Sequence, residues 1–357
     1  MQEKIREVLS GVIDPNTGKD LVYSKALKKV TTEAGKTTVQ IELDYPAKTQ
    51  GPVIEEMVRA KLVEAGIPAD VKISQNIIAH EVQRGVKVFD SVRNIIAVSS
   101  GKGGVGKSTV SANLALALQQ EGAKVGLLDA DVYGPSQPTM LGITDKPYSV
   151  DGKTLEPMIA HGLQVASVGV LIDPDQPMIW RGPLAVSALQ QLLKQTNWKD
   201  LDYLIVDMPP GTGDIQLSLS QEVPLTGAVV VTTPQDIALM DARKGLVMFE
   251  KVNVPILGII ENMATHICSK CGHEEHIFGE GGAAKMAAQY GVDLLGELPL
   301  DINIRLSMDK GEPIVISEPD SKVAQVYRDI ARKLAIAVSK KNKDYSAKMP
   351  SIKVSDT

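Results

Sequence analysis

The sequence predicts an α/β fold whose core is a doubly wound, mostly parallel sheet, preceded by a small α+β domain. Two observations carry this prediction. From about residue 94 onward, apolar runs rich in Val, Ile and Leu alternate with longer helical segments, which is typical of parallel strands buried on both faces. Before residue 80, the runs follow one another as helix, hairpin, helix and strand, which indicates a separate α+β unit.

Composition and charge exclude several classes of protein. Of the 357 residues, 43% are hydrophobic and 23% are charged, as in ordinary globular proteins. The net charge is −5, so no basic excess favours nucleic acid or an anionic membrane as a partner. No apolar run approaches the roughly 18 residues that span a bilayer, and the opening MQEKIREVLSGVIDP has no secretory signal. We therefore expect a cytoplasmic protein that binds neither nucleic acid nor membrane.

Residues 1–80 form the predicted accessory domain. Its opening helix places Ile5, Val8 and Leu9 on one face, as an amphipathic helix requires. A polar turn containing Gly35 separates the next two runs, which predicts a β-hairpin. After the opening helix, the predicted elements are strands at 21–30 and 37–43, a helix at 52–65 and a strand at 71–73.

The large domain contains the predicted parallel strands. Each is a short, nearly continuous apolar run, followed in most cases by a helical segment. In chain order, these strands are NIIAVSS, KVGLLDAD, LQVASVG, DYLIVDMP, GAVVVTT, PILGIIEN and VDLLGELPL. The chain ends in the polar, lysine-rich segment KKNKDYSAKMPSIKVSDT, which predicts a loose tail over 339–357.

A phosphate-binding loop follows the first of these strands. Residues 101–108 read GKGGVGKS, which matches G-x-x-x-x-G-K-[ST] between the strand NIIAVSS and the helical run STVSANLALALQQ. Glycines let backbone N–H groups surround phosphate oxygens, and the helix N-terminus adds partial positive charge. We expect Lys107 to neutralise the β- and γ-phosphates of ATP and Ser108 to give its hydroxyl to Mg²⁺.

This motif predicts a P-loop ATPase domain over residues 94–338, joined to the accessory domain by a linker at 81–93. The loop and the start of its helix are the predicted nucleotide-binding residues. They are Gly101, Lys102, Gly103, Gly104, Val105, Gly106, Lys107, Ser108 and Thr109.

Hydrolysis also needs carboxylates for magnesium and for the attacking water. Asp129 and Asp131 end the run KVGLLDAD, and Asp207 ends YLIVD. The carboxyl ends of parallel strands are where α/β sheets build ligand sites, so we expect these acids to meet there. Acids at strand ends also cap helices, and this alternative stays open for Asp129. Asn262 ends another strand, and its amide suits the edge of adenine or a turn.

The chain has two cysteines, Cys268 and Cys271, in the segment HICSKCGHEEHIFGEGG. Thiolates separated by two residues can hold one metal ion, but tetrahedral zinc and a 4Fe-4S cluster usually take four protein ligands. A symmetric homodimer would supply the second pair. The alternatives are an intrachain Cys2His2 zinc site completed by nearby histidines, a redox-active pair and two unligated thiols. Spacing alone favours zinc. The nearby histidines are His266, His273 and His276.

The loop resembles the deviant Walker A class of the ParA, MinD and nitrogenase iron protein group, whose motif is KGGxGK[ST]. This resemblance implies that Lys102 acts in trans on the nucleotide of a partner subunit. It also implies that Asp207 is the Walker B acid, that Asp131 orients or deprotonates the attacking water and that Asp129 supports magnesium. Asn262 is similar to the adenine-contacting Asn of the class. Pro299 lies in a stretch, LPLD, that would also sit near the base.

A larger set of motifs resembles the Mrp/ApbC family of iron-sulfur cluster carrier ATPases over residues 1–80 and 92–335. The resemblance implies that Cys268 and Cys271 of each subunit bridge a labile 4Fe-4S cluster across a homodimer. Apo iron-sulfur proteins and cluster assembly factors would be its partners. This chain lacks the proline that many relatives have after the first cysteine, and its N-terminal domain has no cysteine. The motifs are GKGGVGKST, DADVYGPS, WRGP, DMPPGTGD, TTPQD, and ENM followed by C-x-x-C and IFGEGG.

Two other functions stay open at this point. The first is a positioning switch of the MinD or ParA kind, whose ATP dimer binds membrane or DNA. The lysine-rich tail has neither the apolar face nor the basic run that such a switch needs. The second is an ATPase with zinc at the cysteine pair and no cluster traffic, which only metal analysis distinguishes from the carrier.

Overall fold

The computed structural model describes residues 2–83, 86–170, 182–268 and 270–344. It confirms the predicted fold class. Within these residues, a sheet of eight strands forms the centre of the large domain, and a separate sheet of three strands belongs to the N-terminal domain. No helix in the described part of the chain is both long and apolar enough to span a bilayer.

In the accessory domain, strands β1 and β2 form the expected antiparallel hairpin, and β3 joins β2 in parallel. The first strand begins at Leu27, so the prediction of a strand from residue 21 was wrong. The carboxylate of Asp20 accepts hydrogen bonds from the backbone N–H groups of Val22 and Tyr23 and holds this stretch in a turn. The elements are α1 (Gln2–Leu9), β1 (Leu27–Glu33), β2 (Lys36–Leu43), α2 (Gly51–Glu64) and β3 (Ala69–Gln75).

The first half of the large domain contains the strand before the phosphate loop and the helix after it. The sequence missed one short strand, β6, which pairs antiparallel with β7 at the edge of the sheet. The elements are β4 (Val92–Ser99), α3 (Lys107–Gln120), β5 (Val125–Asp129), α4 (Gln137–Met140), β6 (Met158–Ala160), β7 (Leu163–Ser167), a 3₁₀ turn (Val168–Val170) and α5 (Gly182–Gln195). Of the WRGP motif, Trp180 and Arg181 lie outside the described residues.

The second half completes the sheet and adds a small hairpin that carries the cysteines. The elements are β8 (Leu201–Asp207), α6 (Asp214–Glu222), β9 (Gly227–Thr232), α7 (Asp236–Lys251), β10 (Ile256–Glu261), β11 (His266–Ile267), β12 (Glu274–Glu275), α8 (Gly282–Tyr290), β13 (Leu294–Glu297), α9 (Ile302–Asp309), α10 (Ile314–Ser317) and α11 (Lys322–Ser339).

The order of the strands places the phosphate loop at the middle of the sheet. The order is β13-β10-β9-β4-β8-β5-β7-β6, and every pairing except β6 with β7 is parallel. Strands β8 and β9 are entirely buried apart from one half-buried residue, as expected for strands covered on both faces. Strand β4 lies between β8 and β9, so the ends of these three strands converge at one edge.

The start of the predicted tail is not loose. Lys343 forms a β-bridge with His80, and the backbone N–H of Glu81 donates to the carbonyl of Asn342 at 2.9 Å. Together with the bond from the Asp344 N–H to the Ala79 carbonyl, these contacts hold residues 342–344 beside residues 79–81, at the start of the predicted linker. The other end of the linker gives Val92 and Arg93 to strand β4. Residues 345–357 lie outside the described part of the chain.

The accessory domain docks onto the far end of the phosphate-loop helix. The docking centre is Glu121, which follows α3 and is fully buried. Its carboxylate accepts from the Thr49 hydroxyl at 2.7 Å and from the Arg332 guanidinium at 2.6 Å. The backbone N–H of Lys48 donates to the Glu121 carbonyl at 2.9 Å. The accessory domain therefore hydrogen-bonds to a residue of a buried ion pair that belongs to the large domain.

Replacing Glu121 with alanine is expected to destabilise the protein by about 3 kcal/mol, because removing one partner leaves the buried Arg332 charge poorly compensated. Thr49→Val removes one hydroxyl donor and should cost about 1 kcal/mol. The midpoint of urea denaturation of the full chain measures both effects. Glu318→Ala, at an exposed position, is the control and should change stability by less than about 0.5 kcal/mol. A Glu121→Ala variant as stable as this control would contradict a structural role for the ion pair, and a Thr49→Val variant as stable as the control would contradict one for the docking contact.

Candidate nucleotide site and cysteine hairpin

The loop between β4 and α3 has the backbone geometry of a phosphate site. Gly104 and Gly106 have φ angles of +84° and +81°, a region that favours glycine. A Cβ added at Gly103 or Gly104 would meet nothing within 4 Å, so this side of the loop opens onto space that can receive phosphate oxygens. A Cβ at Gly101 would overlap the backbone of α7, so the loop can pack there only as glycine.

Lys107 lies among the predicted acids. Its Nζ is 2.6 Å from Asp207 Oδ1, 3.8 Å from Asp131 Oδ2 and 3.2 Å from the Ser108 hydroxyl. Asp207 is fully buried and also accepts from the Ser111 hydroxyl at 2.9 Å. The structure thus brings the loop lysine, the loop serine and two strand-end acids together at the carboxyl edge of the sheet.

Asp129 completes the acidic cluster. It is fully buried and accepts from the Ser167 hydroxyl at 3.0 Å and from the backbone N–H of Gln137 at 3.2 Å. Burial, and then the nearby charge of Asp207, raise its pKa from 3.8 to about 7. Because Gln137 is the first residue of α4, Asp129 also serves the helix-capping role weighed from the sequence. Burial likewise raises the pKa of Asp131, and the Lys107 ammonium opposes this rise.

This shift predicts a pH-dependent stability. Between about pH 4 and 7 the folded state holds the Asp129 proton and the unfolded state does not, so the free energy of unfolding should fall as pH rises through this window. Asp129→Asn should flatten that slope. Urea midpoints of the nucleotide-free protein at several pH values from 5 to 8 measure it, with Asp151→Asn as the exposed control, whose pKa is lowered instead. If the urea midpoints of wild type and of the Asp129→Asn variant changed equally with pH, a raised pKa of Asp129 would be contradicted.

Gln137 is a site residue that the sequence reasoning missed. Its side-chain amide donates to the Ser108 carbonyl at 2.9 Å and to Asp207 Oδ2 at 2.8 Å, and the residue is fully buried. Its Oε1 has no hydrogen-bond partner among the described residues. In the sequence, the feature that could have indicated this residue is its position directly after the DADVYGPS motif.

The donor set suits a magnesium ion. Mg²⁺ prefers oxygen ligands and keeps several of its waters, which need acceptors around them. The Ser108 hydroxyl, the Asp207 and Asp129 carboxylates and the unpartnered Oε1 of Gln137 are oxygens gathered by the contacts above. These residues therefore fit Mg²⁺ beside the phosphate loop.

Other predicted residues also surround the loop. The side-chain amide of Asn262, which is 7% exposed, donates to the Val105 carbonyl at 2.9 Å. Pro299 follows Leu298, whose carbonyl accepts from the N–H of Ala264 at 2.9 Å, so it neighbours the same segment. Lys102 is half-buried, and its carbonyl accepts from the Ser100 hydroxyl at 2.8 Å. Which of these residues contact nucleotide stays a prediction.

The cysteines occupy the turn of the β11–β12 hairpin. Cys268 is half-buried and Cys271 is exposed, and both are free thiols. The N–H of Cys268 donates to the His273 carbonyl at 2.9 Å, and Gly272 turns the chain with φ +71°. The backbone N–H groups of Lys270 and Cys271, and then the Cys271 thiol, lower the pKa of Cys268. This environment favours the thiolate, the form that binds metal.

The histidines near the cysteines are partly committed elsewhere. His266 Nδ1 is 3.2 Å from the Leu300 carbonyl, and His276 Nδ1 is 3.0 Å from the Ala264 carbonyl. In the ranges that the structure describes, no three His, Cys, Asp or Glu side chains form a group that could hold a metal ion. The intrachain Cys2His2 site weighed from the sequence is therefore not preformed among these residues.

The fold and the loop define this chain as a P-loop nucleoside triphosphatase with an N-terminal accessory domain. A family model described as "NUBPL iron-transfer P-loop NTPase" matches residues 91–335 of this chain. A second family model, described as "Iron-sulfur cluster assembly protein", matches residues 2–75. The chain belongs to the family of NUBPL iron-transfer P-loop NTPases.

Individual relatives agree with this membership. The chain is 51% identical over 340 residues to the iron-sulfur cluster carrier protein of Salmonella typhimurium, covering 93% of this chain and 92% of the relative. It is 51% identical over 247 residues to the mouse iron-sulfur cluster transfer protein NUBPL, covering 69% and 77%. The solved nucleotide-binding protein of Archaeoglobus fulgidus in complex with ADP is 37% identical, with a TM-score of 0.58, covering 66% of this chain and 92% of that one.

Proposed function

We propose that this protein is an ATP-dependent iron-sulfur cluster carrier. It binds a 4Fe-4S cluster across a homodimer and transfers the cluster to apoproteins, and ATP binding and hydrolysis switch the dimer between states. The observation that carries the proposal is the pairing of a phosphate loop with an accessible C-x-x-C hairpin whose first thiol has a lowered pKa. Relatives named as cluster carrier and cluster transfer proteins support it.

At the nucleotide site, each group has a role set by its position. Lys107 leaves its pair with Asp207 to neutralise the phosphates, and Ser108 and Asp207 hold the magnesium ion and its waters. Magnesium supplies charge neutralisation of the phosphates. Asp131, at the edge of the group of acidic side chains, orients the attacking water, while Asp129 supports the magnesium site. Further predicted contacts are Lys102 with the partner's nucleotide, and Asn262 and Pro299 with adenine.

Two properties of the chain support a homodimer. One chain supplies two thiolates and a 4Fe-4S cluster takes four, so a twofold axis between two hairpins completes the ligand set. Large apolar side chains are also exposed on segments that follow the strands at the carboxyl edge of the sheet, where a second subunit would cover them. They are Tyr133, Ile237, Met240, Ile267, Ile277 and Ile302.

Cluster transfer is then a ligand exchange at iron. A deprotonated cysteine of the client forms a new iron–sulfur bond as the bond to Cys268 or Cys271 breaks, and the released thiolate takes up the proton that the client thiol gave to water. Neither iron nor sulfur changes oxidation state. The lowered pKa of Cys268 makes it a better leaving thiolate.

Anaerobic reconstitution with iron and sulfide tests the proposal. Wild-type protein should bind about four irons per dimer, with a broad visible absorption band. Its mass should be that of a dimer. The loaded protein should pass the cluster to an apo-ferredoxin, faster with ATP and Mg²⁺. Retention of zinc with no visible band would instead favour an ATPase with a structural metal, and ATP-dependent sedimentation with liposomes would favour a membrane-positioning switch.

A further inference from the structure

The segment between β10 and the cysteine hairpin packs directly against the phosphate loop. The Nδ2 of Asn262 donates to the Val105 carbonyl at 2.9 Å, and this bond is buried. A Cβ built on Gly106 would collide with that Nδ2 and lie 3.7 Å from the Cε of Met263. The loop and this segment therefore touch with no spare room, so a shift of the Val105–Gly106 peptide must move Asn262 or break its bond.

On its other side, the same segment is tied to the base of the hairpin. The Ala264 carbonyl faces the His276 ring nitrogen at 3.0 Å, and the Thr265 carbonyl accepts from the N–H of Leu300 at 2.7 Å. His266 then starts β11 and pairs with Glu275 across the hairpin. A continuous series of short contacts thus runs from the phosphate loop to the turn that holds the thiols.

The backbone between these anchors is strained. Met263 has φ +58°, in the left-handed region that non-glycine residues rarely adopt. Such a conformation persists only when its surroundings hold it, and here Asn262 is fixed to the loop while Ala264 is fixed by Leu298 and His276. Asn262 is also held through its backbone N–H, which donates to the Thr232 carbonyl at 2.7 Å. If the side-chain bond to the loop is released, one of these two contacts is lost, so Met263 relaxes more readily and the hairpin shifts.

We propose that Asn262 is a positioning residue that transmits the nucleotide state of the phosphate loop to the Cys268–Cys271 turn. The Val105–Gly106 peptide carries the signal, because its N–H belongs to the phosphate-facing loop and its C=O accepts from Asn262. This inference rests on the proposed function only in requiring nucleotide at the loop. It assigns the Nδ2 of Asn262 a role toward the protein, distinct from the predicted contact with adenine.

The test measures thiol reactivity and needs no cluster. Metal-free protein is alkylated with iodoacetamide alone, with ADP and Mg²⁺, and with a non-hydrolysable ATP analogue. In wild type, nucleotide should change the alkylation rate by about fivefold or more. Because the predicted adenine contact is lost with the side chain, Asn262→Ala is measured at a nucleotide concentration that calorimetry shows to be saturating for this variant. Its ratio of alkylation rates with and without nucleotide should fall below about twofold. Asn303→Ala, an exposed asparagine on α9, is the control and should behave as wild type. Mass measurements in the same samples separate this effect from shielding by dimerisation.

The inference is overturned if Asn262→Ala shows the same ratio of alkylation rates as the wild-type protein. It is also overturned if the alkylation rate of the wild-type protein does not respond to saturating nucleotide. If Asn262→Ala fails to bind nucleotide, Met263→Gly decides, because it relaxes the strained joint and keeps the Asn262 side chain. Its ratio should fall as well, and an unchanged ratio overturns the inference. Iron binding by the wild type is measured separately. A responsive thiol pair without a cluster refutes the proposed function alone, and a bound cluster with unresponsive thiols refutes this inference alone.

Discussion

Replacement of Lys107 by methionine is expected to lower the kcat of ATP hydrolysis by at least about a hundredfold, because an electrostatic group aimed at the transferring phosphate is lost. In the structure, Lys107 is buried, and its Nζ faces Asp207 and Asp131. Methionine is also unbranched and is only one atom shorter, but it lacks the ammonium charge and its N–H donors. Release of inorganic phosphate measures the effect, and ATP-stimulated cluster transfer to an apo-ferredoxin should fall with it.

The matched control is Lys124→Met, since Lys124 is an exposed lysine that pairs with Asp200 away from the loop. Its hydrolysis rate should stay within about twofold of wild type. Thermal midpoints of both variants separate a catalytic loss from unfolding, because Lys107→Met also leaves the acidic cluster without its ammonium. Cluster transfer by the Lys107→Met variant that ATP still accelerates as in wild type would refute the coupling of hydrolysis to transfer.

The double variant Cys268→Ser, Cys271→Ser is expected to reduce bound iron from about four per dimer to nearly none. Serine has almost the shape of cysteine, but its hydroxyl does not ionise at neutral pH and is a poor ligand for iron. Cys271 is exposed and Cys268 is half-buried in a hairpin turn at the surface, so the fold and basal ATP hydrolysis should change little. Iron analysis and visible absorption after anaerobic reconstitution measure the loss.

Lys270→Ala is the control for this turn. It keeps the backbone N–H that faces Cys268 and removes only an exposed side chain between the cysteines. Iron binding should therefore match wild type. If the double serine variant retained a full complement of iron, the ligands would have to come from outside the cysteine pair.

Much of the site was predictable because its chemistry lies in short, contiguous motifs. The loop GKGGVGKS, the strand-end acids Asp129 and Asp207, and the cysteine pair are each recognisable by residue type and spacing. The parallel strands were likewise predictable, because burial on both faces demands continuous apolar runs. The strand predicted from residue 21 failed because the Asp20 side chain captures the next backbone N–H groups in a turn, a local contact that apolar periodicity does not report.

The sequence by itself determined the fold class, the phosphate loop and the set of chemically competent side chains. The tertiary structure alone decided which of them meet. Lys107 and Asp207 are 100 residues apart, and Val105 and Asn262 are 157 apart. Their contacts exist only because the strand order places β8 beside β4 on one side and β9, followed by β10, on the other. Gln137 and Glu121 gain their roles in the same way. Motif spacing constrains which residues are close along the chain. Strand order and close packing determine which residues distant in sequence come into contact.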